Sequence, residues 1–61
     1  MRSITVGDRV QVRKAAHEYN QRAGQRGAII GHGNSPGMLV VRYDDGAEEL
    51  VPASWLRRDA A

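Results

Sequence analysis

Paired carboxylates are the side chains that first invite a chemical reading. Asp44-Asp45 and Glu48-Glu49 lie on either side of one glycine-containing turn, so four acids share a single hairpin. Such a group can hold Ca²⁺ or Mg²⁺ weakly, or keep an exposed hairpin soluble. His17 and Glu18 are adjacent, and adjacent side chains on a strand point to opposite faces. No cysteine is present to act as a nucleophile. Neither G-x-S-x-G nor G-x-x-x-x-G-K-[ST] occurs. The two histidines, His17 and His32, do not make a metal cage without several carboxylates beside them. The residues therefore give no catalytic group, and the four acids read as solvated side chains that keep the hairpin soluble, with no metal site assigned.

Arginine is the other chemically loaded type. Eight of the nine bases are arginine, and their distribution is uneven. Residues 1–30 carry six bases and two acids, a balance of +4, and residues 31–61 carry three bases and five acids, a balance of −2, which together give the net +2. Arginine suits phosphate and carboxylate forks. A basic segment predicts a face for an anionic partner, and two segments of opposite sign also allow self-association into a homo-oligomer. Arg13, Lys14, Arg22 and Arg26 are the candidate nucleic-acid contacts.

Sixty-one residues make one domain. A chain of that size buries only about 60% of its unfolded surface, so association would add useful burial. Without cysteine there are no disulfides and no zinc-thiolate site. No run approaches the roughly 18 apolar residues of a membrane span, and no signal-peptide core opens the chain. The expectation is a soluble, cytoplasmic domain with no membrane partner.

Short strands must position these groups. Residues 1–6 read as an N-terminal arm, 7–58 as the domain and 59–61 as a frayed C-terminus. Arg9-Val10-Gln11-Val12-Arg13 alternates polar and apolar strictly, the period of a half-buried strand. Residues 15–25 lack alternation and predict a long loop with at most one helical turn. A second strand runs over 26–32, a turn over 33–37, and a third strand over 38–43. Asp44-Asp45-Gly46 is a hairpin turn. A fourth strand follows over 47–51, a 3₁₀ turn over 52–55 and a fifth strand over 56–58. Such short strands predict a closed five-stranded antiparallel barrel, since closure hides the sheet edges. The expected core is Val10, Val12, Ile29, Leu39, Val41, Leu50, Trp55 and Leu56.

The order GDRVQV, long loop, GQRGAIIG, turn, GMLVVRYDDGAEELVPASWLRR resembles the SH3-like small barrels over about residues 6–58. Val41-Arg42-Tyr43-Asp44-Asp45-Gly46-Ala47-Glu48-Glu49 looks like the strand-turn-strand segment of Tudor domains. Those domains bind methylated lysine or arginine in an aromatic cage. The resemblance implies a ligand site at Tyr43 and Asp45, with Tyr19 as a further wall; Ala47 stands where cage-forming members often carry an aromatic ring. Gly24-Gln25-Arg26-Gly27-Ala28-Ile29-Ile30-Gly31 is similar to the KOW element, which implies RNA contact through backbone and basic side chains. Gly7-Asp8-Arg9-Val10, Gly27-Ala28-Ile29-Ile30-Gly31 and Val51-Pro52-Ala53-Ser54-Trp55-Leu56-Arg57 resemble runs of the type II, plasmid-type dihydrofolate reductases. That family assembles as tetramers around one pore and uses NADPH. Its V-Q-I-Y motif falls on Glu48, Glu49, Leu50 and Val51 here, so these are the pore-lining positions of that alternative.

The sequence reading is thus an SH3-like barrel with no cofactor, acting as a non-catalytic binding module for a protein or nucleic acid through its loop rim. The rim comprises the 14–25 loop, the 32–37 turn and the 44–47 hairpin. The alternative is an oligomeric reductase-like protein with NADPH in a central pore.

Overall fold

A computed structural model describes residues 4–13 and 21–59. Five strands form one antiparallel sheet: β1 (Arg9–Val12), β2 (Arg26–His32), β3 (Met38–Tyr43), β4 (Glu48–Pro52) and β5 (Leu56–Arg58). Their order across the sheet is β4-β3-β2-β1-β5, and a 3₁₀ turn (Ala53–Trp55) joins the two edge strands. The all-β reading, the five antiparallel strands and the turn before the last strand are as the sequence predicts. No helix among the described residues is long and apolar enough to cross a membrane.

The expected closure of the barrel is modified. The ladder does not run from β4 to β5. Pro52 ends β4, has no N–H to extend a ladder, and starts the turn with its φ at −61°. The 3₁₀ turn spans the gap between the two edge strands and is tied to the ends of the interior strands: Arg13 N–H, just after β1, donates to the Trp55 carbonyl at 2.7 Å and Ala53 N–H to the carbonyl of Gly37, just before β3, at 2.7 Å. The result is barrel-like, with extents of 26 × 25 × 22 Å.

Alternation on each strand sends one face inward. The core is Val10, Val12, Ile29, Leu39, Val41, Tyr43, Val51 and Leu56. Two expected members differ. Leu50 is 51% exposed, and Val51 takes its place in the core. The β3–β4 register is the cause, because it pairs buried Leu39 with Val51 and leaves Leu50 opposite Val40 on the other face. Trp55 is half-buried and only packs against the core from the 3₁₀ turn, while Tyr43 is fully inside. Alternation from buried Gly27 and Ile29 turns Ile30 outward, and the β2–β3 register shifts at a bulge between Ile29 and Gly31. Ile4, in the segment expected to be an arm, packs against the core, and Gly7 N–H donates to the Ile29 carbonyl.

Two glycines are required for different reasons. Gly46 closes the hairpin at φ +94°, with its N–H on the Tyr43 carbonyl at 2.9 Å. Gly27 lies opposite Tyr43 with ordinary φ, but a Cβ there would collide with the backbone carbonyl of Arg42. Gly46→Val should cost about 1–3 kcal/mol through backbone strain. Gly27→Ala should cost as much or more, because backbone on β3 must move. Thermal or urea melts of both variants check this. A Gly27→Ala protein as stable as the parent contradicts the close β2–β3 approach.

Candidate nucleic-acid interface

Burial of Val10 and Val12 sends Arg9, Gln11 and Arg13 to the outer face of β1. Gln11 pairs with Arg26 on β2 and with Arg57 on β5, so the three side chains form one row across the outside of the sheet. Arg13 follows β1 directly, two residues on from Gln11, its Nη1 3.4 Å from the Ser54 carbonyl. Arg42 extends the outer face on β3, opposite Ala28.

The sequence segregates charge, but the fold recombines it. Arg9 grips Asp44 at both oxygens, at 2.9 and 3.0 Å. Arg22 meets Asp45 at 3.0 Å and Arg26 meets the largely buried Asp59 at 3.2 Å. Arg42 pairs with Glu48 at 2.6 Å, and Arg58 lies 3.7 Å from Asp8. Seven arginines fall among the described residues, and these five acids engage five of them. Arg13 and Arg57 are the two left without a carboxylate among the described residues. Exposed pairs of this kind stabilise little, because solvent screens them. Their larger effect is to decide where positive charge stays uncompensated.

The candidate ligand residues take separate places. Tyr43 is 2% exposed, and its hydroxyl donates to the Glu49 carboxylate at 2.6 Å. The Arg22 guanidinium lies 4.6 Å from the centre of its ring, so a cation of this chain already occupies a face of that ring. Asp45 accepts from Ala47 N–H and from Arg22 at the turn. Tyr19 and Lys14 lie outside the described residues. Arg22 therefore belongs to the hairpin cluster, and Arg13 and Arg26 to the outer face of the sheet. Of the four positions matched to the reductase motif, Glu48 is engaged by Arg42, Glu49 by Tyr43, Leu50 is exposed, and Val51 is sealed in the core. No group of three potential metal ligands occurs among the described residues.

Arg57 and Gln11 were not singled out by the sequence reading. The alternation RVQVR does place Gln11 with Arg9 and Arg13, but nothing local puts β5 beside β1. Only the register brings Arg57 opposite Gln11.

These features define a small all-β, barrel-like domain with an arginine-rich outer face. The same architecture occurs in the NMR structure of the Bacillus subtilis protein YorP, at a TM-score of 0.82 and 22% identity, over 98% of this chain and 74% of that one. Likeness at that identity speaks for the fold alone. No family model matches the chain, and no curated protein matches it significantly.

The hairpin acids give a pH dependence. The hydrogen bond from Arg9 holds the Asp44 carboxyl below the ordinary aspartate value of 3.8. Ala47 N–H, followed by Arg22, does the same for Asp45. Stability from both is fully present above pH 3.8 and is lost as pH falls below it through their lowered folded values. Both carboxylates are exposed, so the effect is small. Melts of the parent and of an Asp44→Asn, Asp45→Asn variant should differ by a constant offset above pH 3.8 and converge below it.

Proposed function

We propose that the chain is a non-catalytic SH3-like binding module, and that its partner is a nucleic acid held by its phosphates on the outer face of β5, β1 and β2. One observation carries this reading. Arg13 and Arg57 keep uncompensated charge among the described residues, Arg57 at one end of the Arg57–Gln11–Arg26 row and Arg13 two residues on from Gln11. The strand order and the 3₁₀ turn ahead of β5 support the SH3-like assignment. The glycine-rich stretch that resembles a KOW element borders the same face, with Gly24 at φ +88° and Arg26 opening β2. The described part of the rim offers less to an anion, since Asp44 and Asp45 dominate the hairpin. A methylated-ligand cage is less favoured, because Tyr43 is buried and Arg22 lies on its ring.

Phosphate contacts without base readout predict weak binding with steep salt dependence, at Kd values of about 10⁻⁴–10⁻⁶ M. The test is a salt series with a fluorescent single-stranded oligothymidylate. Each single-strand phosphate contact contributes about 0.7 to the slope of log K against log salt. Arg13→Gln with Arg57→Gln should therefore flatten that slope by about 1.4. Arg22→Gln should leave it unchanged, because that side chain is committed to Asp45 and Tyr43. Salt-independent binding, no binding, or a slope indifferent to the double change would overturn the reading.

A further inference from the structure

The Arg57 side chain is held at one edge and open at the other. Its Nε donates to Gln11 Oε1 at 3.1 Å. The amide of Gln11 is fixed in turn, because its Nε2 donates to the Gly24 carbonyl at 3.0 Å. Turning that amide over would set its NH₂ against the guanidinium and its oxygen against a carbonyl, so both contacts select one orientation. Gly24 is itself constrained. It adopts φ +88°, a conformation other residues rarely take, with its N–H on the Val12 carbonyl at 2.8 Å. A relay thus runs from the Gly24 turn through Gln11 to Arg57 and restrains the Nε edge of the guanidinium.

This arrangement spends the Nε–H and leaves the two Nη groups, the edge that matches two oxygens of a phosphate. No carboxylate takes that edge among the described residues. Arg26 lies on the far side of Gln11, two strand spacings or about 10 Å from Arg57 across the sheet. Its charge is shared with Asp59. Arg13, two residues on from Gln11, points a guanidinium nitrogen at a main-chain carbonyl. Among the described residues, Arg57 is therefore the one arginine of the face that is both uncompensated and held by a side chain.

Resting on the nucleic-acid reading above, we infer that Arg57 is the phosphate fork of this face and that Gln11 is the positioning residue that aims it. A fork differs from a point charge. Lysine at position 57 keeps the charge but loses the planar pair of donors and the Nε contact to Gln11.

The experiment measures affinity for labelled oligothymidylate, with inorganic polyphosphate as competitor. Trp55, the only tryptophan, follows binding by fluorescence from the turn that precedes β5. Arg57→Lys should retain the parent's salt slope and weaken binding about tenfold, the loss of one charged hydrogen bond. Polyphosphate should displace the oligonucleotide. Gln11→Ala should weaken binding several-fold in the parent and have no further effect once position 57 is lysine, since Gln11 acts through Arg57. Thermal midpoints are recorded for every variant, and Gln11→Met, which keeps the stem without the polar contacts, replaces Gln11→Ala should that protein melt early. An Arg57→Lys protein that binds like the parent, or a Gln11 effect of equal size in both backgrounds, would overturn the inference. If the Arg13→Gln, Arg57→Gln slope change survives in that case, only the fork falls and the nucleic-acid reading stands. Absence of any salt-sensitive binding removes both.

Discussion

Burial of Val10 and Val12 is the constraint on which the outer surface depends. Both valines are almost fully enclosed, and β1 is hydrogen-bonded on each side, to β2 and to β5. A strand has only two faces. Once the valines are inside, Arg9, Gln11 and Arg13 have no choice but the outside. A slip of one residue would bury three polar side chains and expose two apolar ones, so the register is strongly held. The location of the arginine-rich face follows from the core, and no separate device is needed to create it.

Small size shapes the rest. A chain of 61 residues has little surface to bury, and it lacks cysteine for disulfide cross-links. Leu39, Val41 and Tyr43 on β3 and Val51 on β4 supply half of the eight core side chains. Tyr43 brings the largest buried side chain and a hydroxyl that must be satisfied, and Glu49 accepts from it. Glu49 is thereby part of the architecture as well as part of an acidic pair. Arg22 over the same ring links the end of the long loop to the hairpin.

Ion pairing filters the charge that a partner can meet. In the sequence the basic half and the acidic half look like two poles. In the fold, Arg9, Arg22 and Arg26 reach across to Asp44, Asp45 and Asp59, and Asp8 answers Arg58 from the other direction. The poles are largely neutralised within the molecule, each pair contributing little stability in solvent. Among the described residues, what remains is local: Arg13 and Arg57 near Gln11.

Much of the fold was legible from local pattern. The alternation RVQVR, the hairpin signal Asp44-Asp45-Gly46 and the Pro52 that ends β4 are encoded in a few neighbouring residues each, and each acts through its own backbone preferences. Those features determined the strands, the turn and the face of β1. Facing across the β3–β4 hairpin was decided elsewhere. Leu50 and Val51 are both apolar, and only pairing with Leu39 and Val40 selects which one enters the core. Tyr43 matches a ligand position through the Tudor resemblance, yet β3 parity places it with Leu39 and Val41 in the core. The candidate site shows the same division. Arg13 and Arg26 were visible as bases in a basic segment, whereas Arg57 belongs with them only because β5 returns beside β1 across 46 residues of chain from Gln11. Periodicity is a local property and sequence carries it directly; partnership between distant strands arises only when the chain closes on itself.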